Sequence, residues 1–165
     1  MTDVLVAGIG NIFFGDDGFG CAVAAVLAAA AVPAGVRVVD YGIRGVHLRY
    51  DLLDGVGALV LIDAVPAGIA VGAPPGTVVS LQIGADDFGG LGDTVDAHGM
   101  SAAAVLAGLG SLGTQLPPTQ LIGCVPFDIG DGIGLSGVVQ QAVEPAARAV
   151  LDLVRGLVGA AGAVT

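Results

Sequence analysis

Residues 4–20 read VLVAGIGNIFFGDDGFG: an apolar run breaks into a glycine-rich turn and two adjacent carboxylates, and an alanine-rich stretch follows from Cys21 to Val32. This order predicts a buried strand, an edge turn and a helix, with the turn at the carboxyl edge of a parallel sheet, where open α/β folds hold their ligands. The glycines allow positive φ and let other groups approach the backbone. Asp16 and Asp17 fall where the helix begins, and the partial positive charge of a helix N-terminus keeps carboxylates ionised. Ionised carboxylates at a sheet edge are potential metal ligands, and either is also a good helix cap. A dinucleotide fingerprint fits poorly. Gly8-Ile9-Gly10 supplies two of its glycines, but Phe13 stands where the third must be small, and two acids would repel a pyrophosphate.

The same alternation continues along the chain. Val36 to Tyr41 reads as a second strand, ending in the glycine-bearing loop Asp40-Tyr41-Gly42-Ile43-Arg44-Gly45. Arg44, inside that loop, can reach into a cleft or form a surface ion pair. A short helix over Val46 to Leu53 carries His47 on a solvated face. Ala58 to Val65 is apolar except for Asp63, as in a central parallel strand buried on both faces. A carboxylate at the tip of such a strand is costly to bury unless it is paired, metal-bound or capping the next turn, which makes Asp63 a site candidate. Thr77 to Ile83 suits an edge strand. Asp96-Ala97-His98-Gly99 leads into a helical pattern over Ala102 to Leu112, so His98 stands at a loop-to-helix boundary from which it can face a cleft. Gln120 to Val125 is a last buried strand. Ser136 opens a helix predicted through Val158, broken or kinked at Pro145, with a frayed tail from Gly159.

The expected fold is therefore α/β: a three-layer αβα sandwich around a mostly parallel, twisted five-stranded sheet, in a single domain over residues 1–165. With 15 acidic residues against five arginines and no lysine, the formal charge is −10, and such a field repels nucleic acid and anionic membrane surfaces. The mean hydropathy is +0.90, yet Asp, Gly or Pro interrupts each apolar run before it could span a membrane. Nothing resembles a signal peptide, so the expected location is cytoplasmic. Cys21 and Cys124 form no metal-binding pair and read as reduced, buried thiols. Cys124 with His98 would be a nucleophile and base only if a third group oriented them.

Asp17, Asp63 and His98 come from three loops at one predicted edge, and two carboxylates with one imidazole suit a divalent transition metal better than magnesium or calcium. In these features the sequence resembles the nickel-iron hydrogenase maturation endopeptidases. The resemblance is carried by Gly8-Ile9-Gly10-Asn11 with Gly15-Asp16-Asp17-Gly18-Phe19-Gly20, by Leu61-Ile62-Asp63-Ala64, by the His98 segment, and by Gly123-Cys124 with Gly132-Ile133-Gly134-Leu135-Ser136. It implies that Asp17, Asp63 and His98 match nickel-binding and catalytic positions, and that the metal is the nickel of the substrate itself, for which other divalent transition metals substitute. The implied partner is the large-subunit precursor of a nickel-iron hydrogenase, from which a C-terminal extension is removed after nickel insertion. Arg44 and Asp16 are the candidates for substrate contact, Asp16 orienting a water or capping the helix. Asp17 stands where several relatives carry Glu. A nickel chaperone that cuts nothing and a doubly wound nucleotide- or flavin-binding module are the competing readings.

Overall fold

Five strands, β1 (Val4–Ile9), β2 (Val36–Gly42), β3 (Ala58–Ala64), β4 (Val78–Ile83) and β5 (Thr119–Cys124), lie in the order β2-β1-β3-β5-β4. All neighbours pair in parallel except β4, which runs antiparallel along the edge of β5. The structure is a computed structural model that describes residues 3–65, 70–84, 108–109, 113 and 115–163.

Successive side chains of a strand point to opposite faces, and the central strands are apolar on both. Val4 and Val6 of β1, Val60 and Ile62 of β3, and Ile122 and Cys124 of β5 pack beneath two helices on one face. Those helices are α1 (Phe19–Ala28), which contributes Phe19, Val23 and Leu27, and α4 (Val143–Gly162), which contributes Ala146, Val150 and Val154. The alternate residues Leu5, Ala7, Ile9, Leu59, Leu61 and Leu121 pack on the other face with Leu109 and with Leu48 and Leu52 of α2 (Gly45–Leu53). Helix, sheet and helix thus make the three layers that the alternating pattern predicts.

The helix boundaries differ from the sequence reading in three places, each for a local reason. Helix α1 stops at Ala28 rather than Val32, where the amides of Ala29 and Ala30 tighten the last turn by bonding the carbonyls of Val26 and Leu27, and Pro33 then bars helical geometry at Val32. The helix expected from Ser136 is two, α3 (Gly137–Gln140) and α4, and the break falls before Pro145 rather than at it. Pro145, third residue of α4, has no amide to give the carbonyl of Gln141 and its ring would collide with that carbonyl. At the other end α4 continues to Gly162 instead of fraying from Gly159, since Leu157 and Val158 pack against the core. Among the described residues no helix is long and apolar enough to cross a membrane. Of the helix expected over 102–112, residues 108–109 are described, and both are helical.

Candidate active site at the β1/β3 edge

The strand order makes the carboxyl ends of β1 and β3 a topological switch point, because the chain leaves β1 toward β2 on one side and takes up β3 on the other. Gly10 follows β1 there with φ at 140°. A β carbon at Gly10 would stand 1.9 Å from the carbonyl oxygen of Asp17 and 3.8 Å from Oδ1 of Asp63. The main chain of Asp17 and the carboxylate of Asp63 therefore flank a position that only glycine can occupy. Each carboxylate is held by a nearby amide: Asp17 Oδ2 accepts from Asn11 N at 2.8 Å, and Asp63 Oδ1 from Ala64 N at 2.8 Å. Asp63 is 6% exposed at the strand tip and Asp17 is half-buried.

Cys21, in the first turn of α1, lies under this edge, and its thiol donates to the carbonyl of Gly10 at 3.5 Å. Burial, then Asp40, Asp63 and Asp17, push its pKa up to about 12, so it stays a neutral thiol. Asp40 is thus a third carboxylate at this edge, which the sequence reading passed over. The rule that singled out Asp63, an acid at the tip of a strand, applies to it equally, since Asp40 stands near the end of β2 and accepts from Gly42 N at 3.0 Å. Cys124 is fully buried and its thiol is pushed up to about 11, chiefly by burial, so it does not present a nucleophile.

Asp16 has other partners than Asp17, and neither sequence expectation for it, a helix cap or a substrate contact, matches its surroundings. The short 3₁₀ turn over Gly15–Gly18 and helix α1 have no side-chain cap. The fully buried Asp16 carboxylate instead accepts four hydrogen bonds from the loop after β5. Oδ2 receives Phe127 N at 2.8 Å, Asp128 N at 2.9 Å and Ser136 Oγ at 2.8 Å, and Oδ1 receives Ser136 N at 2.7 Å. Burial alone would raise its pKa, but the hydrogen bonds from Asp128, Ser136 and Phe127 outweigh it and hold the group below its ordinary value. A carboxylate occupied in this way and closed to solvent has no face left for a substrate.

Arg44 lies beyond the end of β2, where Nε donates to Tyr41 O at 3.2 Å and Nη2 to Asp40 O at 2.7 Å. With Val39, Tyr41, His47, Tyr50 and Asp51 it lines an open cavity of about 390 Å³. Tyr41 donates its hydroxyl to Asp51, which also lies 3.7 Å from Arg37. His98 lies outside the described residues, and among the described residues no three potential metal-ligating side chains gather at one point. Asp63 presents a carboxylate oxygen beside Gly10, while Asp17 stands there by its main chain with its carboxylate turned to the amide of Asn11.

An open, mostly parallel α/β sheet of this order belongs to the class of folds whose strand-end loops at the switch point hold the ligand site. The model of the hydrogenase maturation protease family (HycI) matches residues 21–153. The hydrogenase expression/formation protein HoxM of Azotobacter vinelandii is 34% identical over 167 residues, covering 96% of this chain and 76% of HoxM. Among solved structures, the hydrogenase maturating endopeptidase HybD of Escherichia coli superimposes with a TM-score of 0.76 at 28% identity, over 93% of this chain and 92% of that one. The hydrogenase 2 maturation peptidase of Thaumarchaeota archaeon SCGC_AB-539-E09 gives 0.67 at 30% identity, over 92% and 97%. The chain belongs to the hydrogenase maturation protease family, and it is a hydrolase that acts on a hydrogenase precursor. This membership displaces the chaperone and nucleotide-module readings.

Proposed function

We propose that the chain removes the C-terminal extension of a nickel-iron hydrogenase large-subunit precursor once nickel has been inserted, with Asp17, Asp63 and His98 engaging the precursor's own nickel. The observation that carries this reading is that the Asp63 carboxylate and the main chain of Asp17 flank Gly10 at the switch point, and that the charges of both residues act on the Cys21 thiol beneath it. Nickel bound by these side chains supplies a Lewis acid and a mark of completed metal insertion. The chain's own residues do the rest. Asn11 and Ala64 amides orient the carboxylates, and the neutral Cys21 thiol beneath them adds no further negative charge.

The test is incubation with a nickel-loaded precursor, followed by mass measurement. The expected result is loss of a C-terminal fragment from the loaded precursor and an unchanged mass for the nickel-free one. Asp63→Asn keeps an acceptor for the Ala64 amide but removes the charge, and should lower the cleavage rate about 100-fold or more. His98→Ala should do the same. A loaded precursor that keeps its full mass with the wild-type enzyme, or an Asp63→Asn enzyme of wild-type rate, would defeat the reading.

A further inference from the structure

Two loops beside the carboxylate pair present large apolar side chains to water. From the first, Ile12 and Phe13 are exposed; from the second, Phe127, Ile129 and Ile133 are, with Phe127 at 70% and Ile133 at 76%. The loops are joined into one surface by their backbones. Gly132 N donates to Phe13 O at 2.8 Å and Gly15 N to Gly132 O at 2.8 Å, and Phe14 and Gly132 form a parallel bridge. Asn11 Oδ1 accepts from Phe13 N at 2.9 Å, fixing the turn that carries Ile12. The buried Asp16 carboxylate then holds residues 127, 128 and 136 through four hydrogen bonds. A buried charge is costly unless fully satisfied, so the fold commits a carboxylate to holding in place a loop whose apolar side chains face solvent. Solvent-exposed apolar patches of this kind mark interaction sites.

We propose that this surface docks an apolar segment of the hydrogenase precursor flanked by lysine or arginine; this rests on the reading given under Proposed function. Continuity with the site supports that occupant, because Ile12 and Phe13 directly follow Asn11, whose amide holds Asp17. A polypeptide that brings its scissile region to Asp17 lies over them. Charge gives the rest of the chemistry. The ionisable residues exposed on the second loop are Asp128 and Asp131, and the chain as a whole carries −10, so a basic flank is attracted and an acidic one repelled. Asp16 is a positioning residue here, acting through the loop that it holds.

The experiment uses the whole chain carrying Phe127→Ser with Ile133→Ser, and separately Phe13→Ser. Both are surface changes, checked for folding by circular dichroism and Tm. Steady-state cleavage of nickel-loaded precursor should show KM raised about tenfold, as expected when docking anchors are truncated, with kcat within about twofold. Asp128→Asn with Asp131→Asn should slow association at low salt and leave it unchanged at high salt. If both serine variants fold and keep the wild-type KM, the docking surface is wrong while the peptidase reading stands; if the wild-type enzyme cleaves nothing, the peptidase reading fails first. A wild-type dimer that the serine substitutions convert to monomer with unchanged KM would assign the surface to a second copy of the chain and overturn the proposal.

Discussion

The turn after β1 and the loop after β5 are both rich in glycine and aspartate, yet the fold packs their glycines in opposite ways. At the first, backbone crowds backbone, since a β carbon on Gly10 would overlap the Asp17 carbonyl at 1.9 Å. At the second, a β carbon on Gly132 would meet no atom within 4 Å, and Phe127 and Ile133 stand in water. Composition reports that the chain turns in both places. Both display apolar side chains, Ile12 and Phe13 from the first and Phe127, Ile129 and Ile133 from the second, but packing separates a turn crowded at its glycine from one open there.

The largest expected effect tests this contrast directly. Gly10 and Gly132 both have φ near 140–147°, where an L side chain is strained, so alanine at either should cost about 1–3 kcal/mol from the backbone alone. Gly10→Ala adds a collision with backbone that cannot move without displacing Asp17, so it should cost about 3 kcal/mol or more in denaturant unfolding and abolish cleavage. Gly132→Ala should stay near the strain value and retain turnover. Equal losses at the two positions would mean that crowding at Gly10 does not set the site.

Asp16 ties the two regions together, and removing it should be next in size. Asp16→Ala leaves the amides of residues 127, 128 and 136 without their acceptor, at about 3 kcal/mol. The pH dependence follows from the lowered pKa. A carboxyl whose folded pKa lies below its ordinary 3.8 stabilises the fold fully above that value, and the contribution is lost as the pH falls through the lower one. Acid unfolding below about pH 4 should therefore be less steep in Asp16→Ala than in the wild type. A parallel pair of acid curves would show that the loop is held without this charge.

Much of this was legible in the sequence because burial on both faces leaves a plain signature: β1 and β3 are dominated by Val, Leu, Ile and Ala, and β5 carries Leu121 and Ile122 at its centre. Asp63 was legible for the same reason, as the single charge in a buried strand. Asp16 was not. Its partners lie 111 to 120 residues away, and a local rule sees an aspartate before a helix and assigns a cap. Asp40 was missed because its strand is only half-buried, so an acid in it carries no surprise. His98 lies outside the described residues, and its part in the site stands on the resemblance and on Proposed function.

The two buried thiols give a smaller, alkaline signature that separates the site edge from the core. Their folded pKa values, about 12 for Cys21 and about 11 for Cys124, lie above the ordinary 9.0. Stability they contribute is fully present below pH 9 and is lost as the pH rises toward the folded values. Cys21→Ala should flatten the decline through relief of burial first and of Asp40, Asp63 and Asp17 second, and Cys124→Ala through relief of burial first and of Asp16 alone second. Added salt should therefore change the Cys21 contribution more. Equal salt sensitivity would place Cys21 in the core rather than at the site edge.

The smallest effect on the fold, and the sharpest on the division between holding and contacting, is expected at Arg44. Its guanidinium gives two of its five N–H groups to the carbonyls of Asp40 and Tyr41, so it braces the end of β2, but it does so from an exposed position where hydrogen bonds compete with water. Arg44→Ala should change unfolding free energy by less than about 1 kcal/mol. If the arginine also contacts the precursor from the wall of the neighbouring cavity, KM should rise while kcat holds, because binding is lost without disturbing Asp17 or Asp63. Arg44→Lys keeps the charge but cannot make both carbonyl bonds in the same plane, so it should recover only part of the lost affinity. Full recovery by lysine would reduce the residue to a charge, and an unchanged KM in the alanine variant would leave Arg44 with the strand end alone.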